Sequence, residues 1–235
     1  MDRQHRHDLK HDKFVDEIGV LSDKARENQR LLYTIGGVAL AIAVLTYGFF
    51  FYRSNREENA QQALAVAIET FEAPVGDQAQ PATAGPSFKT EAERTTAAEK
   101  AFTELHSKYS GTDAADVAGL YLARLAVTKN DVASARKHLE QFISSQKRHI
   151  LADSARFSLY QLRIENGEAA QVSTEITAEL AKTEPMLPGD ALLVLLAQAY
   201  EVQGDAAKSQ EAYKRLTVEH PESPYALDAQ RRVGA

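Results

Sequence analysis

Large apolar residues recur in the C-terminal part of the chain with a constant step of 37 residues. Four positions keep this step: Phe102, Leu139, Ile176 and Tyr213. Turn-forming pairs keep the same step: Asn130-Asp131, Gly167-Glu168 and Gly204-Asp205. A constant period of a few tens of residues is typical of stacked repeats, in which each unit buries its apolar face against its neighbours. Such arrays usually present a binding surface, so the pattern directs the search for function to protein partners.

Between these markers, apolar residues follow the three- and four-residue spacing of amphipathic helices. Proline and glycine separate the helical stretches, as expected where helices end. The spacing predicts helices at about 90–109, 113–128, 131–146, 150–165, 168–182, 189–203, 206–219 and 224–233. Aspartates stand at predicted helix starts, where a carboxylate can cap the first turn: Asp113, Asp131, Asp190 and Asp205. We therefore expect an all-α domain of antiparallel helix pairs over residues 90–235.

The segment from Leu31 to Tyr52 is the longest apolar run of the chain. Its 22 residues carry no charge, and eleven of them are Leu, Ile, Val or Phe. As a helix it would be about 33 Å long, enough to cross a hydrocarbon core of roughly 30 Å. Tyr33, Tyr47 and Tyr52 lie near its ends, where aromatic rings suit the membrane interface. The sequence predicts a transmembrane signal-anchor helix at 31–52.

A buried core helix and a cleaved signal peptide are the alternatives to an anchor. No other apolar run of the chain approaches this length, which disfavours a core helix. Thirty residues precede the run, and the nearest small-x-small triplet starts at Ala63 inside a predicted helix, which disfavours cleavage. Four Lys or Arg lie in the twenty residues before the run and two in the twenty after it. This bias predicts a cytoplasmic N-terminus and a C-terminal domain across the membrane.

The segments that flank the apolar run differ in character. Residues 1–30 form a predicted cytoplasmic tail, and the spacing of apolar residues from Lys13 to Arg30 predicts a short amphipathic helix within it. Residues 53–72 predict a juxtamembrane helix with one apolar face. Residues 73–89 contain three prolines and two glycines, which predicts a loop.

The charge balance and the motif content restrict the classes of function. The chain has 27 Lys and Arg against 33 Asp and Glu, a formal net charge of −6, which disfavours a general nucleic-acid binder. Cysteine is absent, which excludes disulfides and thiolate metal sites. No glycine-rich phosphate loop, nucleophile elbow or paired-histidine zinc motif occurs. Four histidines of the repeat domain are scattered and expected on its surface: His106, His138, His149 and His220. We expect neither an enzyme nor a cofactor or metal site.

The unit from Asp190 to Pro221 resembles a tetratricopeptide repeat. It matches that motif at large, small, aromatic, turn and closing positions: Leu193, Leu196, Ala197, Tyr200, Gly204-Asp205, Tyr213 and Pro221. Ser209 stands at the small position of the second helix, a mild departure, and the step of 37 exceeds the usual period of about 34. The earlier units match more loosely. The resemblance implies a tetratricopeptide-like α-solenoid that follows an N-terminal transmembrane helix.

The order of segments is similar to that of the ancillary SecYEG translocon subunit family of bacterial inner membranes. The resemblance implies a single-pass protein with a cytoplasmic N-terminus and a periplasmic domain. It also implies binding to translocon subunits, chaperones or unfolded clients, with the lipid bilayer contacted from Leu31 to Tyr52. The alternative is a self-associating envelope scaffold for a division or outer-membrane assembly complex. Alanine-rich outer helices and the proline-rich loop allow such self-association.

A candidate groove follows from the repeat. In tetratricopeptide arrays the first helix of each pair lines the concave face. Three apolar positions recur there with the 37-residue step: Leu120, Phe157 and Val194. One turn later, three polar positions keep the same step: Arg124, Gln161 and Gln198. Apolar and neutral polar side chains suit an extended or helical polypeptide segment. The alternative is that the three apolar residues pack against the next helix.

Overall fold

The computed structural model describes residues 29–76, 85–147 and 149–234, and within these ranges the chain is helical without a β-strand. Two long helices flank the loop: α1, Gln29–Glu72, precedes it, and α2, Glu91–Lys108, follows it. The following helices are α3 Asp113–Thr128, α4 Val132–Ser145, α5 Ala152–Arg163, α6 Ala169–Leu180, α7 Gly189–Gln203, α8 Ala206–Glu219 and α9 Ala226–Val233. The all-α prediction is confirmed, and the ends of α2 to α9 lie within two residues of the predicted ones. The predicted helix of the tail lies almost wholly outside the described residues.

The chain divides into two units, Met1–Asn55 and Arg56–Ala235. In the first unit, residues 31–52 belong to α1, and none of its most apolar 18-residue stretch is buried. Large apolar side chains project on every side of the helix; Leu45 and Phe51, for example, are 72% and 66% exposed. Length and composition make this helix a candidate membrane span.

The second unit is a succession of helix pairs, and three of these pairs turn on a residue with left-handed backbone. The φ angles are 56° at Asn130, 90° at Gly167 and 77° at Gly204. These are the three turn positions that repeat every 37 residues. A left-handed residue ends a helix because it redirects the chain out of the helical path. The step in the sequence is therefore the step of the α3–α4, α5–α6 and α7–α8 turns.

Two of the four predicted caps are confirmed, at the aspartates that follow a left-handed residue. Asp131 accepts from the backbone N–H of Ser134 at 3.0 Å, and Asp205 accepts from that of Lys208 at 3.1 Å. The predictions for Asp113 and Asp190 are wrong. Thr112 caps α3, through a hydrogen bond to its Oγ1 from the N–H of Ala115, and α7 has no side-chain cap. Asp113 is already the first helical residue, so the capping position that precedes it belongs to Thr112.

The four large residues of the 37-residue step are all buried, at 0 to 5% exposure: Phe102, Leu139, Ile176 and Tyr213. They belong to three successive apolar clusters. The first joins α1, α2 and α3, the second joins α3, α4 and α5, and the third joins α5 to α9. Because α3 and α5 each contribute to two clusters, each helix pair is held by its neighbours, as in other stacked repeats.

Arg56 and Glu57, adjacent residues of α1, hold the turn between α2 and α3. The guanidinium of Arg56 donates hydrogen bonds of 3.1 Å to two carbonyls at the end of α2, those of Lys108 and Ser110. The carboxylate of Glu57 accepts hydrogen bonds of 2.9 and 3.1 Å from two N–H groups of the first turn of α3, those of Asp113 and Ala114. Both contacts are favourable, because the C-terminal end of a helix attracts a cation and the N-terminal end attracts an anion.

An ion-pair network joins the middle repeats. Arg163 binds Glu175 through two hydrogen bonds of 2.7 and 2.8 Å and also donates to Glu168 at 2.9 Å. Arg136 of α4 donates to the same Glu168 at 2.7 Å. The hydrogen bonds from Arg136 and Arg163 lower the pKa of Glu168, and those from Arg163 lower the pKa of Glu175. Glu168 follows the left-handed Gly167. At the same point of the α3–α4 and α7–α8 turns, the residue is a capping aspartate instead.

Gly204→Ala is expected to lower the free energy of unfolding by about 1–2 kcal/mol, because residues with a Cβ disfavour left-handed backbone. A Cβ added at Gly204 meets no atom within 4 Å, so the cost is conformational. Urea unfolding of the full-length protein in mild detergent, followed by circular dichroism, measures the change. The control is Gly119→Ala inside α3, where the nearest atom lies at 3.7 Å and helix propensity favours alanine by about 1 kcal/mol. Equal destabilisation by both variants would contradict the role of the turn.

Glu57→Ala is expected to cost about 1–2 kcal/mol more than Glu58→Ala, because only Glu57 binds the first turn of α3. The two positions lie next to each other in α1, and Glu58 is exposed, so helix propensity cancels in the comparison. The same urea titration measures both variants. Equal midpoints would show that the contact of Glu57 with α3 adds nothing to stability.

Candidate partner-binding groove

The six candidate residues lie on the first helices of three successive pairs: Leu120 and Arg124 on α3, Phe157 and Gln161 on α5, Val194 and Gln198 on α7. Helices α5 and α7 contact each other directly, although α6 separates them in the sequence. Contact between first helices is what a side-by-side stack of pairs requires. The surface of α5 and α7 is therefore one continuous face of the array.

A cavity of about 340 Å³ opens beside Phe157 where α5, the start of α7 and the start of α9 meet. The rings of Phe157 and Tyr225 stack nearly parallel, with centroids 5.9 Å apart and an interplanar angle of 6°. Both residues are half-buried, so one side of the pair packs on the core and the other faces the opening. Leu187 and Pro188 add apolar surface to the same cavity. We call this space the Phe157 cavity.

Two carboxylates stand at the rim of the Phe157 cavity, and both have partners within the domain. Asp153 forms an ion pair of 2.9 Å with Arg156. Asp190 accepts from the hydroxyl of Ser223 at 2.8 Å and from the N–H of Ala191 at 2.9 Å. The hydrogen bond between Ser223 and Asp190 ties the start of α7 to the segment that carries Tyr225. The result is an apolar slot with a polar rim, which can take a short stretch of polypeptide bearing an apolar side chain.

The other apolar candidates pack within the domain. Val194 is buried at 6% exposure in the third cluster. Leu120 is half-buried against the second cluster. Gln161 and Gln198 are half-buried on the helix surfaces, one turn beyond Phe157 and Val194. Of the three recurring apolar positions, only Phe157 lines a described cavity.

Arg124 lies apart from the Phe157 cavity. Its side chain is exposed, and its guanidinium stands over the ring of Phe71 with 5.2 Å to the ring centroid. It lines a different cavity, formed by α1, α2 and α3. The structure therefore does not gather the six candidates into one groove but divides them between two surfaces and the core.

Tyr225 is the residue of the cavity that sequence reasoning misses. It precedes α9, outside the repeating positions that define the candidate groove. The prolines give a partial signal for it: Pro188 lies one residue before the first residue of α7, and Pro224 lies two residues before that of α9. Both prolines line the Phe157 cavity, next to the starts of α7 and α9.

Two histidines correct the expectation that the histidines are scattered on the surface. His106 of α2 and His138 of α4 meet across Gly119 of α3, with ring centroids 5.7 Å apart. The Nδ1–H of His106 donates to the carbonyl of Ala115 at 2.8 Å. Burial, and then the neighbouring His106, lower the pKa of His138. This packing has no signature in the sequence, because the two histidines do not follow the 37-residue step.

The described residues contain no group of three or more His, Asp or Glu side chains arranged to hold a metal ion. The features that stand out are surfaces: a helical stack with an aromatic cavity on its first-helix face. The fold and the site together define a helical-repeat protein of the protein-interaction class.

Comparison with known families identifies the repeat. Residues 27–187 match the family described as tetratricopeptide repeat-like domain, and residues 190–223 match the tetratricopeptide repeat. The first match covers more than half of the chain, so the chain belongs to the tetratricopeptide repeat-like domain family. The predicted tetratricopeptide character is confirmed. Tetratricopeptide repeats are protein–protein interaction modules, generally non-catalytic.

Among solved structures, the chain is similar to the TPR-like repeats of a putative kinesin light chain from Podosopora anserina. The two share 16% sequence identity and superpose with a TM-score of 0.46, over 77% of this chain and 82% of that chain. No curated protein matches the chain.

Proposed function

We propose that the protein is a membrane-anchored module that binds polypeptide segments through the Phe157 cavity. The cavity is the observation that carries the proposal. It presents a stacked aromatic pair where α5, the start of α7 and the start of α9 meet, and a rigid aromatic surface binds apolar side chains at low entropic cost. The tetratricopeptide family supports a protein as the partner.

The anchor is the apolar part of α1. A helix that is apolar on every side needs an apolar environment on every side. In residues 33–52 the large apolar side chains are exposed, and a lipid bilayer would bury them. The excess of Lys and Arg before this segment supports a cytoplasmic N-terminus and an outer repeat domain.

The site of action that fits this layout is the outer side of a bacterial inner membrane. The order of segments resembles the ancillary translocon subunit family, and the partners would then be translocon subunits, chaperones or unfolded clients. An apolar slot with a polar rim suits unfolded chains, which expose single apolar side chains. The groove residues of the proposal are Phe157 and Tyr225, with Gln161 and Gln198 on the adjoining surface.

A photo-crosslinking residue at Ser158 is expected to capture partner polypeptides in native membranes, because Ser158 is exposed and lines the Phe157 cavity. The same residue at Lys214, exposed on the second helix α8, is the control and should capture far less. Phe157→Leu should lower the yield from Ser158, because leucine keeps apolar volume but removes the flat ring. Mass spectrometry of the adducts identifies the partner.

Three outcomes would contradict the binding proposal. Equal yields from Ser158 and Lys214 would mean that capture does not depend on the cavity. An unchanged yield in Phe157→Leu would mean that the aromatic pair does not bind the partner. Adducts only between copies of the chain would favour the self-associating scaffold instead.

The topology can be tested with single cysteines, because the native sequence has none. Glu222→Cys, at an exposed position between α8 and α9, is expected to react with a membrane-impermeant maleimide in intact spheroplasts. Gln4→Cys, in the predicted cytoplasmic tail, should react only after permeabilisation. The reverse pattern would contradict the orientation, and reaction of both sites in intact cells would contradict a single span.

A further inference from the structure

A second cavity, of about 630 Å³, lies between the end of α1, the start of α2 and the end of α3. Three cations and one carboxylate line it: Arg94, Arg124, Lys129 and Glu91. It shares no lining residue with the Phe157 cavity. A local excess of positive charge is informative here because the chain as a whole carries a net charge of −6.

Arg124 is the cation with uncompensated charge. No carboxylate of the described residues lies within ion-pair distance of its guanidinium, whereas Arg94 pairs with Glu91 and Lys129 pairs with Glu99. The Arg124 side chain is exposed at the cavity, so its N–H donors can reach a ligand. A guanidinium offers five N–H donors in a planar fork that fits a carboxylate with two parallel hydrogen bonds.

An aromatic platform holds Arg124 in place. Its guanidinium lies over Phe71, and Phe71 is packed edge-on against both Phe102 and Tyr121. Phe102 is fully buried and stacks on Tyr121 with centroids 4.6 Å apart. A guanidinium that lies over an aromatic ring can still donate hydrogen bonds from its N–H groups to a ligand. A side chain held in this way loses less conformational entropy when it binds a ligand.

The other two cations are fixed on either side of Arg124. Arg94 donates from Nη1 to the carbonyl of Ala73 at 3.2 Å and is ion-paired with Glu91. Lys129 follows the last residue of α3 and is ion-paired with Glu99 of α2. Their charges are partly compensated, but they exclude a basic ligand from the cavity and add a weaker attraction for an acidic one.

We propose that this cavity binds an acidic polypeptide segment, with one carboxylate held by the edge of Arg124 and a second one near Arg94 or Lys129. A nucleic acid fits less well, because Arg124 lies over the ring of Phe71, which could otherwise stack on a base. The site is separate from the Phe157 cavity and does not depend on the function proposed for it. A partner could contact both at once, which would raise its affinity without any new contact.

The test is fluorescence anisotropy on the full-length protein in a neutral detergent, with a labelled peptide of alternating glutamate and alanine. The matched glutamine–alanine peptide is the ligand control. We expect the acidic peptide to bind and Arg124→Gln to weaken its binding by about tenfold or more, since charge-assisted hydrogen bonds are lost. Arg231→Gln, at an exposed basic position of α9, is the control variant and should bind as the native protein does.

Arg124→Lys keeps the charge but loses the planar fork, so an intermediate loss of affinity would support bidentate binding. Circular dichroism of each variant verifies that the domain stays folded. Equal affinity for the two peptides, or native affinity in Arg124→Gln, would overturn the proposal. Binding of phosphatidylglycerol vesicles, without binding of the peptide, would overturn it in favour of an anionic lipid surface. If Arg124→Gln loses peptide binding but keeps the crosslinking yield from Ser158, the result supports a binding site at Arg124 that is independent of the Phe157 cavity.

Discussion

The left-handed residue between the two helices of a pair is the constraint on which the repeat domain depends. Asn130, Gly167 and Gly204 each reverse the chain at the same point of the repeat, so that each second helix returns along the first. Once the reversal is fixed, the apolar stripes of the two helices face each other, and Leu139, Ile176 and Tyr213 of the second helices lie in the core. The capping aspartates and the network at Glu168 then stabilise the helix that follows each reversal.

Because each apolar cluster spans only neighbouring pairs, the domain can carry separate binding surfaces along its length. The Phe157 cavity belongs to the later pairs and is built on the third cluster, through Phe157 and Tyr225. The cavity at Arg124 belongs to the first pair and its neighbour, and is built on the first cluster, through Phe71. The two sites can therefore differ in chemistry, one apolar and one basic, without any compromise in packing.

The C-terminal part of α1 belongs to the repeat domain and packs against its first helices. Residues Ala60, Leu64 and Ala67 bury one side of it, and Glu57 and Arg56 bind the turn between α2 and α3. Phe71 then supplies the ring on which Arg124 rests. This one segment thus completes the first apolar cluster and binds free backbone groups at the end of α2 and the start of α3. It also forms a wall of the basic cavity, so the first pair depends on it.

The sequence by itself determined the helices, their period and the all-α class, because these follow from local spacing, turn residues and a buried large residue in each unit. It also placed Phe157 and Arg124 on first helices. Only the tertiary structure decided what each candidate does: Val194 is in the core, Phe157 stacks on Tyr225, and Arg124 rests on Phe71. Those outcomes depend on contacts between residues far apart in the chain, as does the pair His106 and His138, and no repeating position records them.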